Sequence, residues 1–353
     1  MFKNFKHWWA TPLIGIAGAL LAKMANWPLP WIIGSMLAVI LVRCSGWLVA
    51  EIPNGRRCGQ WLIATSIGLH LTQSMALDIL THLPLMLVAA FLTLFLAWVG
   101  VAVMRRLGMD LTTAYLAFMP ANFAEMIQMG IRYQANVAQI AAAHSVRLVL
   151  IILTVPAAMF FLADVSPNAV QARLPTDWWW LAPMLVAGLF AIFGWQRLGW
   201  PNPWMFGALS LSALTTVTFD LHMALPSEMS HFAQLMIGCS LGSFIDRKFF
   251  KDAPTYLFKV MIFTFCMIAG TFLFAWVVGT VSDFARPTLA LGMMPGSSTE
   301  MYLTAEALHV GAGMVTAMHI MRLVVVMLCA EPVLKFWLRR EAANGSNQLK
   351  SPQ

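Results

Sequence analysis

Six side chains stand out in a chain that is otherwise poor in charge: Glu125, His144 and Arg147, then Glu300, His319 and Arg322, each 175 positions later. The surrounding frame repeats with them. Met119-Pro120-Ala121-Asn122-Phe123-Ala124-Glu125-Met126 is matched by Met294-Pro295-Gly296-Ser297-Ser298-Thr299-Glu300-Met301. Both copies read M-P-x-x-x-x-E-M, seventeen arbitrary residues, then H-x-x-R-L-V, and all eight fixed positions agree without a gap. A carboxylate, an imidazole and a guanidinium brought together can hold an anion, relay a proton, or neutralise one another. Two copies imply a functional core assembled from two halves.

Each residue type leaves two roles open. A guanidinium inside an apolar helix costs several kcal/mol unless paired, so Arg147 and Arg322 each need a carboxylate or bound anion, with Glu125 and Glu300 as the candidates. Such Glu–Arg pairs either fasten each motif to the next helix or open to accept a solute or a proton. His144 and His319 lie three residues before the arginines, on the same helix face. They either titrate near neutral pH and carry a coupling proton or stay neutral and bond a neighbouring helix. With no second histidine or thiolate at i+3 or i+4, metal ligation is disfavoured, and the sequence calls for no cofactor.

The prolines break the segment that carries each motif. Pro295-Gly296-Ser297-Ser298 supplies a break, a flexible residue and two hydroxyls before a turn that begins near Thr299, whose free N–H groups and positive dipole end suit an anion. Pro120-Ala121-Asn122-Phe123 lacks the glycine, so the two halves are not expected to be equivalent. The candidate solute-binding residues are therefore Pro120, Asn122, Glu125, His144 and Arg147 from one copy. The other contributes Pro295, Gly296, Ser297, Ser298, Glu300, His319 and Arg322.

The setting for these residues is a membrane. The chain is 60% hydrophobic and 10% charged, against about 25% charged in soluble proteins. Apolar runs long enough to span a bilayer recur throughout. The net charge of +7 comes from short basic clusters between these runs, Arg56-Arg57, Arg105-Arg106, Arg247-Lys248 and Arg339-Arg340, a positive-inside pattern and not a nucleic-acid-binding face. The five cysteines are scattered and read as small packing residues.

Twelve segments follow. Repeat 1 (11–163) holds 11–26, 30–49, 58–76, 83–104, 111–131 and 137–162. Repeat 2 (178–340) holds 178–197, 203–219, 230–245, 256–281, 286–306 and 312–338. A polar linker occupies 164–177, a cytoplasmic end precedes residue 11, and a disordered tail is expected over 341–353. Two further motifs recur. Trp27-Pro28-Leu29-Pro30-Trp31-Ile32-Ile33-Gly34 is matched by Trp200-Pro201-Asn202-Pro203-Trp204-Met205-Phe206-Gly207, a helix start with interfacial tryptophans. Gln60-x-x-Ile63-x-x-Ser66-Ile67-Gly68 is matched by Gln234-x-x-Ile237-x-x-Ser240-Leu241-Gly242. Their polar side chains either bond between helices or line a solute path.

Charge decides the topology. If all twelve segments cross, the Arg247-Lys248 loop falls on the face opposite Arg56-Arg57, against the positive-inside rule. If segments 111–131 and 286–306 enter and leave on one side, each repeat crosses five times. The basic loops and both ends then share one face, and Asp220 and Glu228 take the other. The fold expected is an all-α polytopic membrane protein of two inverted repeats, with about ten crossings and two broken or re-entrant segments. That arrangement is typical of secondary transporters.

At these motifs the sequence resembles the bacterial AbrB-duplication membrane family, whose members carry two copies of a P-G-G-x-x-E-M-like stretch and a following helix that ends in L-R-L/V-L-V. The resemblance spans roughly 11–338. The second copy keeps the first glycine as Pro295-Gly296-Ser297, whereas Pro120-Ala121-Asn122 departs from the pattern. It implies kinship with inverted-repeat cation and anion transporters. Members also carry labels as regulators of gene expression or ammonia monooxygenases, but nothing in this sequence resembles a DNA-reading motif, and no His or Cys cluster suits a copper oxygenase.

The expectation is a non-enzymatic secondary transporter of a small anionic solute in the bacterial cytoplasmic membrane, coupled to H⁺ or Na⁺. Its partners are the solute or ion and the lipid bilayer, without direct nucleic-acid binding, and a homo-oligomer is left open. The rival is an integral membrane regulator that influences gene expression indirectly.

Overall fold

The computed structural model describes residues 8–47, 49–162, 175–247, 249, 254–282 and 284–348. The described chain is helical: α1 (Ala10–Met24), α2 (Pro30–Cys44), α3 (Gly55–Leu69), α4 (Gln73–Thr81), α5 (Leu83–Arg106), α6 (Leu111–Phe118), α7 (Phe123–Arg132), α8 (Val137–Leu162), α9 (Trp178–Arg197), α10 (Pro203–Phe219), α11 (Ser227–Gly242), α12 (Pro254–Val278), α13 (Arg286–Met293), α14 (Ser298–Ala307) and α15 (Ala312–Gln348). Five helices, α5, α8, α9, α12 and α15, contain stretches long and apolar enough to span a bilayer. Their outward faces carry exposed Phe91, Phe95, Phe190, Phe258 and Leu273, the surface of a protein whose solvent is lipid.

The two segments that carry the repeated motif are broken where the prolines sit, α6 from α7 at Met119–Asn122 and α13 from α14 at Met294–Ser297. Each forms a hairpin. Thr113 at the start of α6 accepts the backbone N–H of Asn136, just beyond the end of α7, at 2.9 Å. Gly311, just beyond α14, lies against Thr288 near the start of α13. Each hairpin thus begins and ends on one side, the first beside the C-terminus of α5 and the second, with Phe284 against His82, beside the N-terminus of α5.

The remaining short helices form a scaffold. Pro30 and Pro203 take the first helical position of α2 and α10, where a missing N–H leaves no hydrogen bond unmade. The residues before them, Leu29 and Asn202, adopt left-handed conformations with φ of 50° and 44°. Helix α2 runs parallel to α11, as Trp31 stacks on His231 at 5.1 Å and Gly242 meets Met36 and Val39. Helix α3 likewise runs parallel to α10, with Arg57 over Trp204 at 5.9 Å and Gly68 against Ser212. Gly68 and Gly242, the motif glycines, make these contacts possible, since a Cβ at either position would sit 1.9 Å from Ser212 Oγ or 2.7 Å from the Met36 carbonyl. Between the two pairs the direction reverses. Glu51 accepts from Ser240 Oγ at 2.5 Å and Gly59 lies against Ala233, so α3 and α11 are antiparallel.

One buried cluster joins α2, α3, α9, α10 and α11 to the middle of α8. Two others surround the hairpins, and each takes residues from both sequence halves, α5 and α8 together with α12 and α15. Two differences from sequence expectation concern boundaries and a third concerns the cysteines. Segment 58–76 is two helices, α3 and α4, separated where Thr72 caps α4 by accepting from Met75 N. Helix α15 continues to Gln348, into the stretch assigned to a disordered tail; Glu341-Ala342-Ala343 favours the first turn of this extension, whereas Asn344-Gly345-Ser346-Asn347 has weak helix propensity. Of the cysteines, Cys239 is buried, whereas Cys266 and Cys329 are exposed on the outer faces of their helices. The expected linker lies outside the described residues up to position 174.

Candidate functional site

Each arginine lies on a long helix that runs beside the first arm of its own hairpin. Arg147, on α8, donates to the Phe118 carbonyl at 3.2 Å and the Met119 carbonyl at 3.4 Å. Arg322, on α15, donates to the Met294 carbonyl at 2.5 Å and the Gly296 carbonyl at 2.8 Å. Phe118, Met119 and Met294 lie at the C-terminal ends of α6 and α13, where carbonyls carry partial negative charge, and Gly296 lies in the break before α14. The offset between copies has a local cause. Thr93 Oγ1 donates to the Met293 carbonyl at 3.0 Å, so Arg322 reaches one step further along the chain than Arg147 does.

Behind each arginine stands its histidine. His144 Nε2 is 2.9 Å from the Leu116 carbonyl, and His319 Nε2 is 2.9 Å from the Leu291 carbonyl. A carbonyl only accepts, so Nε2 carries the hydrogen in both rings. The opposite nitrogen, Nδ1, then accepts from the arginine Nη2, at 2.9 Å in the first copy and 3.0 Å in the second. A second ring proton would meet an arginine N–H head-on. This geometry favours the neutral, helix-bonding role over the proton carrier.

The expected ion pairs are not formed. Among the described residues no salt bridge joins Glu125 to Arg147 or Glu300 to Arg322; those present are Arg43–Asp246, Arg132–Glu331 and Lys335–Glu331. The physical reason is that the helix ends supply the countercharge. Each guanidinium sits on the negative end of the first arm, and Glu125 and Glu300 lie in the first turn of the second arm, where a carboxylate complements the positive end. Glu300 is buried, and one oxygen of each glutamate has no protein partner.

The two tips meet in one cavity of about 60 Å³, lined by Pro120, Asn122, His144 and Arg147 together with Pro295, Gly296, Ser297, Ser298 and Arg322. By that measure it has room for about four water molecules. The N-termini of α7 and α14 both open onto it, as do Phe123 and Thr299 in their first turns. The Arg147 and Arg322 Nε–H groups and Ser298 Oγ are buried without a partner, so the cavity lies among unsatisfied donors. Three site residues expected from sequence lie elsewhere: Glu300 and His319 are buried behind the tip, and Glu125 lines a neighbouring vestibule.

Sequence reasoning missed other lining residues, among them Arg56, Asn202, Met205 and Thr299. Asn202 was visible as the variable position of W-P-x-P-W, read only as a helix start. Gln60, which the sequence left between two roles, lines the cavity, whereas Ser66 and Ser240 bond across helices, to Tyr302 Oη at 3.0 Å and to Glu51. The cavity shares Arg56, Gln60, Asn122, Phe123 and Asn202 with a vestibule of about 620 Å³. A second vestibule of about 440 Å³, at the N-termini of α2 and α11, shares no lining residue with the cavity. Because α3 and α11 are antiparallel, the vestibules lie at opposite ends of the bundle.

Residues 31–338 match the family described as "Transition state regulatory protein AbrB". The chain is also similar to "Uncharacterized protein YhjN" of Bacillus subtilis (strain 168), with 22% identity over 345 residues and 90% of each chain covered. This membrane-type helical chain, with its twice-written motif, belongs to the AbrB family.

Proposed function

We propose that the protein is a secondary transporter of a small anionic solute, driven by H⁺ or Na⁺ and working by alternating access at the cavity between the hairpin tips. One observation carries this reading: the tips of both motif copies line a single small cavity, which therefore receives two helix N-termini and two arginines. Three of the five N–H groups of Arg322 are used on Met294, Gly296 and His319, which leaves Nε–H and one Nη1–H for a ligand. An anion there gains charge-assisted bonds from groups that have no other partner.

The arrangement of charge supports an inverted topology. Thr11 near the N-terminus bonds Ala50, Glu51 bonds Ser240 shortly before Arg247, and Tyr133 bonds Glu331 on α15, two turns before Arg339-Arg340. The basic segments thus gather at the end of the bundle with Arg56, and Glu228 lies at the other. By the positive-inside rule the Arg56 face is cytoplasmic, and the membrane is the bacterial inner membrane. Among the described residues the cavity shares its lining with the Arg56 vestibule and not with the Glu228 one, which supports reading this conformation as inward-open.

The test is uptake by proteoliposomes of labelled monocarboxylates, dicarboxylates, phosphate and sulfate under imposed proton or sodium gradients. Gradient-driven accumulation that Arg322→Lys abolishes in a folded protein supports the reading, because lysine lacks the planar fork. Absence of flux for every anion under every gradient rejects it. The family description, with its word "regulatory", favours a second reading, an integral membrane protein that alters gene expression indirectly. That reading gains if the folded protein binds an anion but moves none.

A further inference from the structure

The second hairpin carries a polar cluster that the first lacks. Glu306, in the last turn of α14, lies one turn beyond Tyr302, whose hydroxyl is 3.1 Å from Glu306 Oε1. The same hydroxyl is 3.0 Å from Ser66 Oγ and 3.1 Å from His70 Nδ1, at the end of α3. His70 Nδ1 is also 2.8 Å from the Ser66 carbonyl, which only accepts, so this nitrogen carries a hydrogen. That one hydrogen is shared, mainly with the Ser66 carbonyl and at longer range with the tyrosine oxygen; since a protonated Nδ1 offers no lone pair, the tyrosine proton points at the carboxylate. Tyr302 and Ser66 are buried, whereas Glu306 reaches the vestibule of about 440 Å³ on the Glu228 face.

Few charges compete for Glu306. His309 lies just past the helix end, His70 comes from α3, and Glu228 and His231 from α11 line the same vestibule. Among the described residues no lysine or arginine forms an ion pair with it. The corresponding positions of the first hairpin, 175 residues earlier, are Ile127 and Ile131. The cluster therefore breaks the two-fold relation between the hairpins, as a driving ion taken up on one side requires.

We propose that Glu306 takes up the coupling proton of this transporter from the vestibule on the Glu228 face, with Tyr302 linking its protonation state to α3; this rests on the transport reading above. As a carboxylate, Glu306 has one hydroxyl donor and depends on vestibule water for the rest of its solvation, so closing that vestibule over the charge is costly. Protonated, it is neutral and can be covered. Closure of the outer vestibule thus requires the proton, while α14 connects Glu306 at one end to the cavity-lining Ser298 and Thr299 at the other.

Two measurements test this on the full-length protein. The first is infrared titration of the carboxyl stretch of the purified protein, with protons as the only ligand. A band that grows as pH falls, is absent in Glu306→Gln and shifts its midpoint in Tyr302→Phe supports the proposal. A titration that Glu306→Gln leaves unchanged overturns it, as does a band that sodium abolishes at constant pH. The second uses proteoliposomes and any carboxylate that the wild type accumulates. Glu306→Gln should lose pH-driven accumulation yet retain exchange of labelled for unlabelled solute, whereas Arg322→Lys loses both. Accumulation driven by pH that persists in Glu306→Gln overturns the proposal. If the wild type moves no solute, the transport reading fails, and the infrared titration still decides whether Glu306 is the protonation site.

Discussion

Arg322 Nη2 lies 3.0 Å from Nδ1 of His319, a contact between two basic side chains that is attractive only because the imidazole is neutral and presents a lone pair. The first copy repeats it between Arg147 and His144 at 2.9 Å. Each histidine is thereby a spacer that fastens an arginine to the end of a half-helix. His319→Ala should leave one arginine N–H without a partner and the Leu291 carbonyl with only the long bond from the Met294 N–H at 3.3 Å, at a cost of about 1–3 kcal/mol in stability. Chemical denaturation in detergent measures this. Nitrogen NMR of labelled histidine should find the Nε2–H form in both rings across the neutral range, and an imidazolium there would contradict the assignment.

Because Arg322 is held by carbonyls and not by Glu300, the two residues should behave nearly independently. Arg322→Ala removes three bonds from buried acceptors and should be strongly destabilising. Glu300→Ala removes only a complement to the N-terminus of α14, about 0.3–1 kcal/mol. In a double-mutant cycle the coupling energy should remain under about 1 kcal/mol, well short of the recovery expected when both members of a buried ion pair are removed. A large recovery in the double mutant would restore the ion pair.

Gly68 and Gly242 test the parallel helix pairs. Gly68→Val or Gly242→Val should force α3 from α10 or α2 from α11, since the added Cβ meets Ser212 Oγ in one case and the Met36 carbonyl in the other. Losses of about 1–3 kcal/mol or more are expected from such overpacking. A Cβ added at Gly194 on α9 would meet nothing within 4 Å, so Gly194→Ala should stay within about 0.5 kcal/mol of wild type. Thermal unfolding of the three variants gives the comparison.

Single cysteines at Arg57 and Glu228, in a background freed of the native thiols, should react with a membrane-impermeant maleimide from opposite sides, the first from the cytoplasm. Reaction of both from one side would dismantle the inverted topology.

The hairpin breaks were legible because proline and the absence of continuous apolar spacing are local signals, and the candidate cavity was legible because its two walls are written twice. Partner assignment was not. Pairing Arg322 with Glu300 follows from counting charged side chains, a count that omits the carbonyls released when a helix stops at Met293. Glu306 escaped notice because its significance depends on Tyr302 meeting Ser66 and His70, residues more than 230 positions away in the chain. One signal was available: the second copy has a tyrosine and an acid one turn apart where the first has Ile127 and Ile131.

The clusters around the hairpins have a consequence for biosynthesis. Tyr115 of the first hairpin donates to the Ala330 carbonyl of α15 at 2.9 Å, and Thr93 of α5 holds the end of α13. Neither half encloses its own hairpin; each borrows walls from the other. While the ribosome is still translating α9 to α11, α5 and α8 are already in the bilayer without the helices that complete their clusters. The first half must wait, its hairpin unsheltered, until α15 has been inserted, so maturation is governed by the last helix made and truncation near the C-terminus should be as damaging as loss of a motif.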